Sequence, residues 1–389
     1  MRLPLAMALL GLALNIAIDF YIWRRLHRHP RARKLHIAAS VVLSLLWAGI
    51  ICVPKRVGDD AFLVRIMWAI YAYWSVYLPK YIAVIFDAAG ALPHLWHRRR
   101  WHVLTIAGVA LGVVSFGAMW WGALVERFRL DVREVEIDIP TLPQSFRGMR
   151  IVQISDWHVG SYADDTIFVA KTVDAINALH PDIILFTGDI VNRHSNELRP
   201  FTSPLSRLCA PLGVYSVMGN HDYGDYYNWT SEAAHKADAD TLRALQRRMG
   251  WHMLDNSTAM LHRASDSIAL IGVENIGEPP FTTRGDLRRA YPHTDDEVTK
   301  ILLSHNPRHW TDSIAGNNGA NIALTLSGHT HAMQMKIGSF SPASWKYPTW
   351  GGLYTDSLGR HLYVNIGLGT VGLPMRIGAT PEITLITLR

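Results

Sequence analysis

The sequence predicts a membrane domain of about four helices followed by a soluble α/β domain. Four apolar stretches fill the first 130 residues, and beyond them short apolar runs alternate with amphipathic segments. The charge balance also changes, from 16 Lys and Arg against 5 Asp and Glu in residues 1–130 to 22 against 27 in residues 131–389. With 389 residues, 49% hydrophobic and 18% charged, the chain is long enough for two or three domains and is not predominantly disordered.

Each apolar stretch is long enough to span a hydrocarbon core of about 30 Å, which takes about 20 residues. The four are Leu3–Trp23, Leu35–Val53, Ala61–Phe86 and His102–Val125. The third contains Pro79 and has the weakest support as a span. Eight of the fourteen tryptophans lie in this part of the chain, many near stretch ends, where their rings prefer the membrane interface. We therefore expect an integral protein of the inner or plasma membrane.

The first stretch has an alternative interpretation as a cleaved signal peptide. No small-x-small cleavage site follows it; six Lys and Arg follow it instead, between Arg24 and Lys34, which is typical of a retained helix. This loop and the basic Arg98–Arg100 segment are predicted to be cytoplasmic. Four spans then place the α/β domain on the non-cytoplasmic side, and one false span would invert that orientation.

Four charged residues lie within the apolar stretches, and two interpretations of them are open. Asp19, Arg65, Lys80 and Asp87 are either part of a translocation path or snorkel from helix ends to the interface. We favour snorkelling, because no transport motif accompanies them.

The α/β domain is predicted from strand and helix patterns beyond the membrane part. We predict a transmembrane domain over residues 1–126, a linker and first strand over 127–147, and the α/β domain over 148–389. Early alternation of strands and helices favours parallel βαβ units, and closely spaced later strands favour a mixed sheet. The predicted strands are Met149–Ile154, Ile183–Phe186, Val214–Met218, Ser267–Val273, Lys300–Ser304, Ile322–Leu326, Tyr363–Ile366 and Glu382–Thr387.

Composition excludes two classes of function. The two cysteines, Cys52 and Cys209, cannot form a disulfide framework or a thiolate metal site. Because the excess of positive charge belongs to the membrane part, a nucleic-acid partner is not expected.

Polar residues fall where five predicted strands end. The segments are Asp156-Trp-His158, Gly-Asp189, Gly-Asn220-His221-Asp222, His305 and Gly-His329-Thr-His331. Strand ends in an α/β sheet converge on a common crevice. So many carboxylates and imidazoles at one point require a cation. Nitrogen and oxygen ligands without thiolate suit Mn, Fe, Zn or Co.

The series DWH, GD, GNHD, H, GHTH resembles the calcineurin-like metallophosphoesterase superfamily, whose pattern is DxH, GD, GNH[DE], H, GHxH. The resemblance covers about residues 148–389 and is very specific. It implies a four-layer α/β/β/α sandwich with two divalent metal ions at the strand ends. By position, the first metal would be held by Asp156, His158, Asp189 and His331; the second would be held by Asn220, His305, His329 and the bridging Asp189.

The resemblance also implies a reaction. Two metals activate a hydroxide that hydrolyses a phosphoric ester or pyrophosphate bond without a covalent intermediate. His221 would donate a proton near the scissile phosphate, and Asp222 would orient His221. Many membrane-associated bacterial relatives continue the last motif as GHTHGGQ, whereas this chain has Ala332 and Met333, which puts close substrate analogies in doubt.

Two aromatic stretches follow motifs, Tyr223–Trp229 and Trp345–Tyr354. They are expected to receive a substrate group, to pack as loops, or to rest on the bilayer. Substrate-binding residues are not identified by the sequence.

Three functions remain open. The favoured one is a membrane-anchored phosphoesterase acting on a lipid headgroup or a lipid-linked substrate. The second is a phosphatase of soluble substrates whose helices are only a tether, and the third is a non-catalytic metal-binding receptor or scaffold. All the ligand positions of the pattern are filled, which argues against the receptor.

Overall fold

The computed structural model describes residues 5–53, 60–279, 281–292, 297–317 and 321–389, and the statements below concern those ranges. Leu3 and Pro4, the start of the first predicted span, lie outside them. The chain divides into two compact units. The first runs up to Val125 and includes the short segment Gly372–Met375, and the second comprises Glu126–Val371 and Arg376–Arg389.

The first unit is helical. Within the described residues, four helices are long and apolar enough to cross a membrane, as the sequence predicts. They are α1 (Leu5–Arg25), α2 (Pro30–Cys52), α3 (Asp60–Ala91) and α4 (His102–Leu124). Pro79 lies inside α3 without dividing it, so the third predicted span is present as one long helix.

The snorkelling interpretation is wrong for Asp19 and Lys80. Lys80 Nζ on α3 lies 2.8 Å from Asp19 Oδ1 on α1, and Tyr77 donates a hydrogen bond of 2.7 Å to the same carboxylate. Asp87, near the end of α3, accepts from Tyr21 at 2.7 Å and pairs with Arg25 at 3.0 Å. Charges in apolar surroundings are stabilised by partners on neighbouring helices, and these pairs join α1 to α3.

The second unit contains short helices and strands. The helices are α5 (Ile167–Ala178), α6 (Thr202–Leu205), α7 (Glu232–Arg248) and α8 (Leu287–Ala290). The strands are β1 (Asp131–Ile137), β2 (Arg150–Ile154), β3 (Ile183–Phe186), β4 (Val214–Ser216), β5 (Trp251–Met253), β6 (Ser257–Arg263), β7 (Asp266–Gly272), β8 (Lys300–Leu303), β9 (Leu324–Ser327), β10 (Gly352–Thr355), β11 (His361–Val364) and β12 (Glu382–Leu388).

These strands form two mixed sheets, each with six strands in the described part of the chain. The first has the order β1-β12-β2-β3-β4-β5 and the second β10-β11-β9-β8-β7-β6. In the first sheet the β12–β2 pair is antiparallel; in the second, β10–β11 and β6–β7 are antiparallel. The remaining neighbours run parallel.

Alternation along the strands produces four layers. In β2, Ile151 joins one core cluster while Val152 joins another, because successive strand residues point to opposite faces. The cluster of Ile151 lies between the sheets, since it also contains Leu270 and Leu303 of β7 and β8. The cluster of Val152 contains Val173 of α5. On the other side of the second sheet, Leu302 of β8 belongs to a cluster that contains Ala290 of α8. Helices therefore cover the outer faces, as the resemblance implies.

Candidate metal centre

The loops that follow five strands carry all nine predicted site residues. β2, β3 and β4 are parallel neighbours in the first sheet, and β8 and β9 are parallel neighbours in the second. Parallel neighbours end on the same side of a sheet, so each set of loops is brought together by its own sheet. Side-chain contacts across the sandwich join the two sets.

The first group comprises Asp156, His158 and His331, all of which are buried. His331 Nε2 lies 3.2 Å from Asp156 Oδ1 and 3.1 Å from His158 Nε2. The other nitrogen of His158, Nδ1, lies 3.1 Å from the carbonyl oxygen of Val191. A carbonyl can only accept, so Nδ1 carries the hydrogen and Nε2 of the neutral ring presents its lone pair to the group.

The second group comprises Asp189, His305 and His329, together with Asn220. His305 Nε2 lies 3.2 Å from Asp189 Oδ2 and 3.2 Å from Asn220 Oδ1. His329 Nδ1 lies 2.9 Å from the same amide oxygen. His305 donates from Nδ1 to the carbonyl oxygen of Thr187 at 2.8 Å, so its Nε2 also faces inward.

One carboxylate oxygen lies between the two groups. Asp189 Oδ2 is 3.6 Å from His158 Nε2 in the first group and 3.2 Å from His305 Nε2 in the second. The other oxygen, Oδ1, accepts a hydrogen bond of 2.8 Å from the backbone N–H of His221. Asp189 is therefore held with one oxygen directed to both groups.

The donor set fits divalent cations. Imidazole nitrogens, carboxylates and an amide oxygen converge in a buried space, and among the described residues Asp156 Oδ1 accepts no hydrogen bond. Such a surplus of buried acceptors is costly without positive charge. The negative charge of the site also acts on His305. Burial alone would lower its pKa, but the charges of Asp189 and Asp156 raise the pKa to about 9.

Backbone strain is concentrated at these residues. Positive φ angles occur at Asp156 (51°), His158 (47°), Asp189 (61°), His329 (75°) and His331 (50°). Residues other than glycine rarely adopt a positive φ, and residues with such strained backbone angles are often found at functional sites. The preceding loop glycines allow close approach: a Cβ on Gly219 would collide with the carboxylate of Asp189, and one on Gly328 would collide with Ser155 and Asp156.

His221 lies beside the first group. Its ring packs edge-on against His158, with the ring centroids 4.8 Å apart, and stacks on Tyr226 at 4.1 Å. Nδ1 lies 2.7 Å from the backbone carbonyl of Asn192 and so carries a hydrogen. Its Nε2 has no hydrogen-bond partner among the described residues. The orientation of the ring is thus set by a backbone carbonyl and a stacked aromatic side chain.

Asp222, which the resemblance predicts to orient His221, contacts the backbone and not the His221 ring. Its carboxylate accepts from the backbone N–H groups of Asp189 at 2.8 Å, Ile190 at 2.8 Å and Gly219 at 2.9 Å and does not bond the His221 ring. The reason is local: Asp222 is the third residue of a tight turn, Asn220–Tyr223, and its side chain reaches back to the backbone N–H of Gly219, which precedes the turn. Burial and the charge of Asp189 raise the pKa of Asp222 to about 7, opposed by these backbone donors.

Three contacting residues were missed from the sequence. His329 Nε2 lies 2.9 Å from Tyr347 Oη, which donates to Glu278 at 2.9 Å. Arg376, fully buried, lies with Nη2 3.3 Å from His331 Nδ1. Tyr347 belongs to the second aromatic stretch, but no motif marks Glu278 or Arg376.

Two family descriptions match the two parts of the chain. The model described as "Calcineurin-like phosphoesterase" matches residues 149–333. The model described as "Probable Calcineurin-like phosphoesterase, transmembrane domain" matches residues 1–127.

Similar proteins come from distant organisms. The chain is 32% identical over 306 residues to the uncharacterized metallophosphoesterase YkuE of Bacillus subtilis, covering 75% of this chain and 97% of that one. It is 33% identical to a transmembrane protein with metallophosphoesterase domain of Danio rerio, covering 66% of this chain but only 57% of that one. Identity to the UDP-2,3-diacylglucosamine pyrophosphatase LpxG of Chlamydia trachomatis is 28%, covering 68% of this chain and 91% of that one.

Proposed function

The chain belongs to the calcineurin-like metallophosphoesterase family, and from this membership we propose that it hydrolyses a lipid-headgroup or lipid-linked phosphoester or pyrophosphate at the buried cluster. The coarse function, a membrane-bound phosphoric ester hydrolase, follows from the family and from its four membrane helices. The observation that carries the proposal further is the convergence of the two acceptor groups on Asp189 Oδ2.

Two divalent cations are proposed, one for each group. Asp156, His158 and His331 would hold the first; Asn220, His305 and His329 would hold the second, and Asp189 would serve both. The chemistry that such cations supply is polarisation of phosphoryl oxygens and acidification of a water nucleophile.

The protein's own contribution is orientation and proton transfer. Asp189 is fixed by the backbone N–H of His221, and that backbone also positions the His221 ring. With Nδ1 bonded to the carbonyl of Asn192, the protonated ring has Nε2 as its donor to the leaving oxygen. Because the side chains of the cluster are already held by hydrogen bonds, they need little reorganisation when the substrate binds.

A lipid-linked substrate is favoured over a soluble one. Four apolar helices keep the hydrolase at a membrane, where a lipid-linked substrate is concentrated. The name of one relative, a UDP-2,3-diacylglucosamine pyrophosphatase, points to the same substrate class. Met333, two residues after His331 and exposed, would shape a different entrance from that of relatives with a glycine there, whereas Ala332 is buried.

The test compares substrates that differ only in their acyl chains. The full chain is reconstituted in vesicles with Mn²⁺, and hydrolysis of a UDP-linked diacylated sugar is compared with that of the same nucleotide sugar without acyl chains. We expect faster hydrolysis of the acylated substrate, absent in Asp189→Asn. Equal rates for both would leave the helices as a tether, and no hydrolysis of either would reject this substrate class.

A further inference from the structure

A loop at the edge of the site presents an unusual apolar surface. This site-edge loop, residues 333–346, directly follows the His329/His331 motif. Its base is fixed: Ser341 donates to the carbonyl of Ala332 at 2.6 Å, and Lys336 N–H bonds the carbonyl of Ile377 at 2.8 Å. A tight turn closes its tip through two backbone hydrogen bonds between Ile337 and Phe340, 2.9 and 3.1 Å long. The loop is therefore ordered.

The exposed side chains of the loop are large and apolar. Trp345 is 80% exposed, Ile337 72%, and Met333 and Phe340 47% each. The rings of Phe340 and Trp345 lie together, with their centroids 6.0 Å apart. Apolar groups in a contiguous exposed patch mark an interaction surface.

The charge of this region matches an anionic surface. Residues 331–354 contain Lys336 and Lys346 and no Asp, Glu or Arg, whereas residues 131–389 as a whole carry five more acidic than basic residues. Lys346 Nζ lies 3.1 Å from Glu278 Oε2, so the positive charge offered to a surface is mainly that of Lys336. Exposed tryptophan and apolar side chains flanked by lysines are the composition of segments that lie in the membrane interface.

We propose that the site-edge loop docks on the lipid bilayer that anchors the chain, with Trp345 and Ile337 inserted at the level of the headgroups. The chain itself keeps this edge of the domain near the bilayer. Six residues separate the end of α4 at Leu124 from the start of β1 at Asp131, a span of at most about 20 Å, and β1 starts at the sheet edge where β2 ends, because β12 runs parallel to β1 and antiparallel to β2. A bilayer fits an apolar tip with flanking lysines, and its contact requires no shape-matched pocket.

Docking has a consequence for the metal centre. Trp345 and Tyr347 are two residues apart, at most about 7 Å along the chain, and Tyr347 bonds His329 of the cluster. The loop would therefore hold the entrance of the site against the headgroup region, where a lipid-linked phosphoester lies. This consequence rests on the proposed function, but the docking itself does not.

The test measures the depth of two side chains in the full chain. With Cys52 and Cys209 replaced by serine, a nitroxide label is placed at Trp345→Cys or, as the matched control, at Leu358→Cys, which is 51% exposed in the β10–β11 turn. Each variant is reconstituted in nanodiscs of phosphatidylethanolamine and phosphatidylglycerol. Collisions of the label with oxygen, which partitions into lipid, are compared with collisions with a water-soluble nickel chelate.

We expect the label at 345 to meet oxygen in preference to the nickel chelate, at a depth of about 5–10 Å in the headgroup and acyl boundary, and the label at 358 to show the reverse. Equal access of the nickel chelate to both labels would overturn the proposal. Shielding of the label at 345 from both reagents would also overturn it, in favour of a protein partner or a second copy. The measurement needs no turnover, so an inactive chain that inserts Trp345 would reject only the proposed function.

Discussion

Asp222 illustrates, at the scale of single residues, how a neighbour in sequence acquires a different role in space. The carboxylate follows His221 directly but bonds the backbone N–H groups of the Asp189 loop. It therefore stabilises the backbone that carries the residue between the two groups of the cluster, and it acts on His221 only through the shared turn.

Replacement of Asp222 separates these roles. In Asp222→Ala, buried N–H groups lose their acceptor, so we expect the free energy of unfolding to fall by on the order of 3 kcal/mol. Asp222→Asn keeps one acceptor oxygen and should lose less. Denaturant unfolding of the full chain measures this, with His221→Ala as the control. If Asp222→Ala keeps its stability but loses as much activity as His221→Ala does, Asp222 orients His221 after all.

Tyr347 is predicted to position a metal-facing imidazole. Because its hydroxyl donates to Glu278, its oxygen accepts from His329 Nε2 and leaves Nδ1 unprotonated toward the cluster. Tyr347→Phe removes this acceptor, so we expect metal affinity to fall by about 10- to 100-fold. Calorimetric titration with Mn²⁺ measures the affinity. Tyr354→Phe is the control, because the hydroxyl of Tyr354 bonds the backbone of Gly351 and not a residue of the cluster. Equal metal affinities in the two variants would contradict a positioning role for Tyr347.

The sequence identifies residues that belong to a spaced motif and misses residues that only support them. The nine motif residues could be proposed because each follows an apolar strand. Glu278 and Arg376 lie on irregular segments far from their partners in sequence, and their contacts depend on how those segments fold against the site. Local pattern carries no information about such contacts.

At the scale of elements, close packing of α3 and α4 depends on small residues. A Cβ on Gly108 would collide with Phe86 of α3, and one on Gly112 would lie 3.0 Å from the carbonyl oxygen of Pro79. Small residues four apart allow two membrane helices to approach closely. Gly108 and Gly112, four residues apart, therefore form the surface of α4 that contacts α3.

Substitution on this surface should destabilise the helical unit. Gly108→Leu cannot be accommodated without moving α3, so we expect a lower unfolding temperature of the full chain in detergent. Gly117→Leu is the matched control on the same helix, since a Cβ at Gly117 meets no atom within 4 Å. Equal unfolding temperatures for the two variants would show that α3 and α4 do not pack through Gly108.

The bounds of elements with a strong apolar pattern can be predicted from the sequence, and those of polar edge elements cannot. β3 has the predicted bounds, Ile183–Phe186, because all four residues are apolar and buried. β1 alternates charged and apolar residues and is largely exposed, so the sequence predicts a first strand within residues 127–147 but not its bounds. Its strand conformation depends on pairing with β12, more than 240 residues away in sequence.

At the scale of the whole molecule, the orientation in the membrane remains a prediction from charge. The basic segments Arg24–Lys34 and Arg98–Arg100 are expected in the cytoplasm, and the catalytic domain on the opposite side. Alkaline phosphatase fused at the C-terminus is active only outside the cytoplasm, so the fusion should be active. If a reporter that works only in the cytoplasm is active at the same position and alkaline phosphatase is not, the predicted orientation is inverted.

Substrate choice is also a property of the whole molecule, which explains why the sequence left it open. The motif residues predict the reaction class, whereas we propose that the substrate is selected by the loops around the cluster and by the membrane. Those loops, such as the site-edge loop, contain no recognisable motif, and the exposure of their side chains depends on the folded sandwich.

The most direct test of the central claim measures metal-dependent hydrolysis by the full chain and by Asp189→Asn. Purified protein is titrated with Mn²⁺ while hydrolysis of bis(p-nitrophenyl) phosphate and metal binding are followed; Asp240→Asn, an exposed carboxylate on α7, is the control. We predict metal-dependent turnover in the wild type and in Asp240→Asn, and background turnover in Asp189→Asn with the fold retained. Wild-type turnover in Asp189→Asn would contradict the assignment of catalysis to the buried cluster.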